Sequence, residues 1–140
     1  MTAYGEYAMH IGSAAAMTAD DTIFGQYREQ GVLYWRGFTL DDFCNQCFNN
    51  HAESGLGRQM PVHYGSRALN FHTISSPLTT QLPQAVGAAY ANKLKGKQTI
   101  TMVYFGEGAA SEVRVCVCAT CDGSMQWSFV HKVDNCVFVM

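Results

Sequence analysis

The chain reads as an α/β layered domain, and three observations carry that reading. Residues 22–24 (Thr22, Ile23, Phe24) form a short apolar run stopped by Gly25, and residues 99–105 form a β-branched and aromatic run stopped by Gly106. Both patterns predict buried strands. Between them lie two helical patterns, one opening at Thr39 and the other covering residues 80–95. The second strand then runs into Gly106-Glu107-Gly108, after which Ala109, Ala110, Ser111 and Glu112 predict a further helix. The order strand, helix, helix, strand, glycine turn predicts a sheet with a crossover connection. In an open sheet of that kind, ligands bind at the carboxyl ends of the strands.

Residues 1–17 are rich in Gly and Ala and begin in mid-pattern, with no capped first element. After the first strand, Gln26-Tyr27-Arg28-Glu29 reads as a loop that sets polar groups at the strand's carboxyl end. Thr39 and Asp42 make an N-terminal cap pair. Leu40, Phe43, Cys44, Cys47 and Phe48 then recur at i, i+3, i+4, i+7 and i+8, one apolar helix face that carries Cys44-x-x-Cys47. Buried cysteines packing as small hydrophobes are expected there in preference to a redox or metal pair. Residues 50–67 form a long Gly- and His-bearing loop of the kind that is functional or mobile. In the helix over residues 80–95, the small side chains of Ala85, Ala88, Ala89 and Ala91 leave room for another backbone, and Lys93, Lys95 and Gly96 supply the stop signal. There are no internal repeats and no low-complexity linkers.

The 140 residues fit one domain or part of a larger one. Apolar residues make up 48% and charged residues 14%, an unusually small solvating share that points to a surface covered by another subunit or by further chain. The net charge of −2 without a basic stripe argues against nucleic acid as a partner, and no apolar run has the length of a membrane span. The first arginine is Arg28, so no basic leader is legible, which predicts a cytoplasmic protein or a start that is missing. Of the six cysteines, Cys116, Cys118, Cys121 and Cys136 crowd into the last quarter, a distribution unlike a secreted disulfide scaffold.

The glycine turn is the most informative motif. Glycine on both sides of Glu107 lets a bulky anion approach the backbone, and the N–H groups of a helix opening there favour phosphate. A carboxylate in that place suits Mg²⁺, which keeps several waters and divides its other positions between a protein oxygen or two and a phosphate. An ordinary turn is the alternative reading.

Four segments give the motif a context: FGQYREQ (24–30), GRQMPVHYG (57–65), SSPLTTQLPQAVGAAYA (75–91) and YFGEGAASE (104–112). In this order they resemble the alpha subunit of the branched-chain 2-oxo acid dehydrogenase, the thiamine diphosphate-dependent decarboxylating component of its complex. The opening YGEYAMHIGSAAA is similar to the same family, whose pyruvate-specific relatives differ in the second and third segments. The resemblance implies that residues 1–112 are a partial three-layer αβα thiamine diphosphate-binding domain.

It also implies roles. Gln26, Tyr27 and Arg28 match diphosphate contacts, and a guanidinium offers paired donors to phosphate oxygens; a surface pair of Arg28 with Glu29 is the plain alternative. Glu107 matches the Mg²⁺ ligand, with Gly106, Gly108 and Ala109 along the diphosphate. Ser75, Pro77, Thr80 and Gln81 match a K⁺ site built of hard oxygens, against the alternative of helix capping. Ser76 and Leu78 match cofactor-lining positions, with Leu78 under the middle of the thiamine. His63 lies in a loop that either approaches the reacting carbon or is simply solvent-exposed. The family removes carbon dioxide from a branched 2-oxo acid and passes the acyl fragment to a lipoyl group on an acyltransferase core. Its pocket lies between alpha and beta subunits, two of each.

Beyond Glu112 the resemblance stops. The family continues into a long helix, a strand and an Asn-Asn-Gly turn that supplies the second Mg²⁺ ligand, and later segments bring the catalytic histidine. Asn135 lacks the neighbours of that turn. The expectation is a half-site, inactive alone, followed by a divergent Cys-rich tail over residues 113–140 that lies outside the fold. Val113-Arg114 can be encoded by GTGAGN, which resembles a splice donor, so the tail reads as translated intron and the source as eukaryotic, with the mitochondrial matrix as its home. Two rivals differ in class. One is a zinc-binding module through Cys116, Cys118 and Cys121 with His131 or Cys136. The other is a truncated, non-catalytic subunit that binds beta without turnover.

Overall fold

The computed structural model describes residues 3–111, 130–133 and 136–139. Its elements are α1 (Tyr7–Ala15), β1 (Thr22–Phe24), α2 (Gln30–Trp35), α3 (Leu40–Phe48), β2 (Phe71–His72), α4 (Gln81–Leu94), β3 (Thr101–Tyr104), α5 (Glu107–Ala110), β4 (Val130–Val133) and β5 (Cys136–Val139). The strands form one sheet in the order β2-β1-β3-β5-β4. β1 runs parallel to both neighbours, with Phe24 opposite His72 on one side and Val103 on the other. β5 is parallel to β3, and β4 is antiparallel to β5.

Strand side chains alternate between faces, and here the alternation sorts the core into two layers. Ile23, Met102 and Tyr104 pack with Ala14 of α1, Val32 and Leu33 of α2, and with Phe38 and Tyr64. Phe24, Val103 and Phe105 pack with Leu82, Ala85 and Ala89 of α4 and Ala109 of α5. Helices therefore cover both faces, which is the expected αβα arrangement. The backbone that Ala85 and Ala89 admit is that of the chain's own sheet. α4 ends where expected, with Gly96 at φ +67° and its N–H donating to Lys93 O at 3.0 Å.

At the amino edge of the sheet, buried Asp21 and half-buried Arg36 lock the strands together. Asp21 accepts the Thr18 N–H at 2.7 Å and the Ile100 N–H at 2.9 Å. The Arg36 guanidinium donates to the carbonyls of Thr18, Asp21 and Leu69 at 2.7–2.9 Å. Such a clasp leaves the opposite, carboxyl edge free for function.

The capping box at α3 forms in full. Thr39 Oγ1 accepts the Asp42 N–H at 3.1 Å, and Asp42 accepts the Thr39 N–H at 2.9 Å. The apolar stripe above it behaves otherwise. Leu40 is 68% and Phe48 81% exposed, and Cys44 and Cys47 are exposed free thiols, so the expected burial of these cysteines is incorrect. The helix docks instead along the edge that carries Phe43 and Gln46. The Phe43 ring meets Phe38 and Tyr64 edge-on, each at 4.8 Å. Buried Gln46 donates to Met60 O at 2.7 Å and accepts the Val62 N–H at 3.0 Å. Two hydrogen bonds and an aromatic cluster turn the helix so that of the predicted stripe only Phe43 meets the core, while Leu40, Cys44, Cys47 and Phe48 stay exposed.

Helices α1 and α2 and the short strand β2 were not legible in the sequence. α1 begins without a side-chain cap, α2 has six residues, and β2 has two.

Candidate functional site

After β1 the chain passes through α2 and α3 to β2, on one side of β1. It then returns through α4 to β3, on the other side. The connections thus diverge between β1 and β3, which makes that gap a topological switch point, the place where parallel α/β sheets open a crevice for ligands. Three segments follow the carboxyl ends of the three adjacent parallel strands. Gln26-Tyr27-Arg28 comes after β1, Ser75 to Gln81 after β2, and Gly106 to Ala109 after β3. The residues singled out by the sequence converge on one edge of the sheet.

The first loop folds around its own carboxylate. Glu29 is buried, and its Oε2 accepts the Gln26 N–H at 2.5 Å. Burial pushes the Glu29 carboxyl up from its ordinary value, while hydrogen bonds from the backbone of Gln26, Glu29 and Arg28 pull the other way. Gln26 is buried, Tyr27 packs against the core, and Arg28 is exposed, with its guanidinium 6.0 Å from the centre of the Tyr27 ring. Arg28 does not pair with Glu29. Its nearest carboxylate is Glu6, 3.8 Å away, a loose contact that leaves the guanidinium available.

The segment after β2 is tied to the end of β3. Buried Gln81 donates from Nε2 to Tyr104 O at 2.9 Å, so the oxygen of the same amide is the atom that could serve a cation. Thr80 Oγ1 donates to Pro77 O at 3.0 Å, and no side chain caps α4. The hydroxyls of this stretch are thus not used as helix caps. Ser75 is half-buried, and Ser76 and Leu78 are exposed. Ser76 hydrogen-bonds His63 Nε2, whose other nitrogen lies 3.1 Å from Pro61 O. A carbonyl only accepts, so in the neutral ring Nδ1 carries the proton and Nε2 accepts from Ser76. That contact joins the loop over residues 50–67 to the crevice.

After β3, Gly106 is the N-cap of α5, with extended backbone, and Glu107 opens the helix, exposed. A Cβ added at Gly106 or Gly108 meets nothing within 4 Å, and neither residue has positive φ. Internal packing and backbone conformation therefore leave the space beside Glu107 open. Ala109 is buried against the sheet and anchors the turn.

Two further polar groups carry no signal in the sequence. His10 is fully buried with both ring nitrogens unpartnered, and burial lowers its pKa against the opposing pull of Glu6. Glu6 stands 4.0 Å from His10 and 3.8 Å from Arg28 and so faces both. Among the described residues no group of three or more His, Cys, Asp or Glu could hold a metal. Glu112, Cys116, Cys118, Cys121 and Asn135 lie outside the described residues, as do the side chains of His131 and Cys136.

Known proteins place this arrangement. The family model of the dehydrogenase E1 component matches residues 1–140. The chain is 66% identical over 112 residues to the mitochondrial 2-oxoisovalerate dehydrogenase subunit alpha of Dictyostelium discoideum, covering 80% of this chain and 25% of that protein. It is 61% identical over 113 residues to the Caenorhabditis elegans subunit and 58% over 112 residues to the human one, at nearly the same coverage. The chain thus spans about a quarter of the length of the curated relatives it matches. With helices on both faces of its sheet and its motif loops gathered at one edge, the chain belongs to the dehydrogenase E1 component family.

Proposed function

We propose that the chain is the diphosphate-binding part of a 2-oxo acid dehydrogenase alpha subunit of the branched-chain type. The observation that carries this is the convergence of the three loops on the β1/β3 switch point. The use of thiamine diphosphate follows from membership of the E1 family, and the branched-chain substrate from relatives that are named 2-oxoisovalerate dehydrogenases. When bound, the cofactor supplies the electron sink for loss of carbon dioxide from the 2-oxo acid; the protein supplies placement and electrostatics.

The donor set fits that group. Arg28 offers paired N–H donors to the phosphates, with Gln26 and Tyr27 beside it. Gly106 and Gly108 leave the open space that a diphosphate needs, and Glu107 is one carboxylate at its rim, as Mg²⁺ with retained waters requires. Ser75, Pro77, Thr80 and Gln81 bring hydroxyl, carbonyl and amide oxygens to one short stretch, a donor set suited to K⁺. Ser76 and Leu78, exposed at the same edge, are the lining residues of this reading.

The proposed partners are a beta subunit and the lipoyl acyltransferase core, and the proposed location is the mitochondrial matrix, as in the relatives' names. Large exposed apolar side chains support a protein partner: Phe48, Leu94, Leu40 and Tyr90 are each more than 60% exposed. We also propose that similarity to the branched-chain relatives divides near residue 112, since their match covers 111–113 residues, while β4 and β5 beyond it still pair into the same sheet.

Titration calorimetry of the full-length protein with thiamine diphosphate and Mg²⁺ tests the reading. Arg28→Met is expected to lower affinity at least tenfold, and Glu107→Ala to abolish the Mg²⁺ dependence. Unchanged affinity in Arg28→Met overturns the assignment. Binding of both cofactor and a beta subunit without decarboxylation of a branched 2-oxo acid would identify a non-catalytic subunit instead.

A further inference from the structure

We infer that Glu29 is a positioning residue for the cofactor loop. Its carboxylate, buried beneath the turn, fixes the backbone from which Gln26, Tyr27 and Arg28 project. This inference rests on the diphosphate-binding reading above.

Three observations support it. First, the loop leaves β1 at Gly25 and must reverse within four residues to enter α2, whose N-cap is Glu29 itself. Glu29 has φ −82° and ψ 38°, outside the helical and extended wells, so local propensity alone does not hold it. Second, the group that holds the turn is a main-chain donor, and it points inward: Oε2 takes the Gln26 N–H at 2.5 Å. Backbone N–H groups in turns elsewhere receive phosphate. Here the Gln26 N–H is already taken, so the external anion must be met by the side chains of Gln26, Tyr27 and Arg28. Third, the carboxylate lies against the strand end. A Cβ at Gly25 would come within 3.5 Å of Glu29 Oε2 and 2.8 Å of Phe71 Cζ, so the acid and a core ring both abut Gly25.

The role is therefore one of reach and hydrogen-bond acceptance. Withdrawing the carboxylate frees the Gln26 amide and lets the loop relax. Among the described residues, Arg28 is restrained otherwise only by its loose contact with Glu6 and by the Tyr27 ring. Glu29 touches neither substrate nor reacting atoms in this reading.

The test uses the full-length protein and three substitutions. Glu29→Asp keeps the charge but shortens the side chain by one methylene; Glu29→Gln keeps reach and an acceptor oxygen; Arg28→Met is the control for the reading itself. Titration calorimetry with thiamine diphosphate and Mg²⁺ reads the affinity, and steady-state assays read the substrate KM. The expected result is a tenfold or greater loss of cofactor affinity in Glu29→Asp, affinity within threefold of wild type in Glu29→Gln, and an unchanged substrate KM in both. Wild-type affinity in Glu29→Asp, alongside a tenfold loss in Arg28→Met, overturns the role of Glu29 and leaves the reading standing. An equal loss in Glu29→Gln and Glu29→Asp also overturns it, since reach and an acceptor oxygen would then not suffice. Wild-type affinity in Arg28→Met overturns the reading on which the inference rests.

Discussion

Gly65 joins the loop over residues 50–67 to the segment that leads into the crevice, and replacing it with alanine tests that join. A Cβ at Gly65 would lie 2.7 Å from Thr73 Cα, a main-chain atom, where ordinary contact begins at 3.4 Å. The two backbones must separate by roughly 0.7 Å, an overpacking that costs about 1–3 kcal/mol. The strain falls on three hydrogen bonds. Ile74 N–H donates to Tyr64 O at 3.0 Å, and Ser66 and Phe71 exchange a pair at 2.9 and 3.0 Å. Losing one of these adds about 1 kcal/mol. Gly65→Ala should thus destabilise by about 2–4 kcal/mol, much of a total near 5–15 kcal/mol. Urea unfolding of the purified chain at 25 °C measures it. A second substitution, Thr73→Gly, should rescue little, because the nearest rigid atom is the Cα. Gly87→Ala is the control of opposite sign: it lies inside α4 with nothing within 4 Å of the added carbon, and should stabilise the isolated chain by about 0.5–1 kcal/mol. A Gly65→Ala chain within about 0.5 kcal/mol of wild type, the ordinary range of a surface substitution, would refute the close approach of these two segments.

Other substitutions reach the remaining parts of the argument. Gln81→Leu leaves the buried carbonyl of Tyr104 without its donor and should cost about 1–3 kcal/mol, read by the same unfolding assay. Thr39→Ala removes the hydroxyl arm of the α3 capping box, leaving Asp42 to accept the backbone N–H of residue 39, and should cost about 1 kcal/mol without changing thiamine diphosphate affinity. Burial lowers the pKa of His10 and His72 from 6.5, so in the window below that value the unfolded chain binds more protons than the folded one. Their contribution to stability is complete above about pH 6.5 and is lost as pH falls through the depressed folded values; His10→Phe should flatten the pH dependence of the urea midpoint. Glu29 acts in the opposite sense. Its folded pKa is raised from 4.5, so its contribution is complete below that value and is lost as pH rises through the raised one, a slope that Glu29→Gln should remove.

How much of this was legible in the sequence depended on the range of the interactions involved. β1, β3 and α4 were, because each carries a period or composition matched to its surroundings, and Gly96 and the Thr39–Asp42 pair are local stop and start signals. The layered sheet with a crossover followed from their order, and its three-layer form from the family resemblance. β2 was hidden, since two residues carry no period and its strand character comes from pairing with β1. The orientation of α3 was misread because long-range partners of Phe43 and Gln46 set it, while the Leu40–Cys44–Cys47 stripe obeys the same period. At the site, residue chemistry marked the glycine turn and the Gln26–Glu29 loop, and the family resemblance marked residues 75–81, but no pattern announced that Arg28 would turn toward Glu6 while Glu29 filled the turn beneath it. Those choices depend on burial and on backbone direction, which single-residue chemistry does not encode.

The charges gathered around the loops lead to one more expectation. Around the proposed diphosphate position, Arg28 is the single cation among the named residues, set against the carboxylates of Glu6, Glu29 and Glu107. One positive against three negative groups gives a formal −2, an unfavourable field for an anion that carries several charges of its own. Burial favours the neutral form of Glu29 and eases part of this. Glu107, exposed at the mouth, has no cationic partner among the described ion pairs. A divalent cation between Glu107 and the phosphates changes the sign of the local interaction, turning a repulsive carboxylate into a ligand. Affinity for thiamine diphosphate should therefore fall by more than an order of magnitude when Mg²⁺ is chelated. Glu107→Gln should partly relieve that loss, binding better than wild type in chelator and worse in Mg²⁺. Calorimetric titrations with and without chelator read both arms. A wild-type affinity indifferent to Mg²⁺, or a Glu107→Gln chain weakened equally in both conditions, would show that Glu107 does not face the diphosphate.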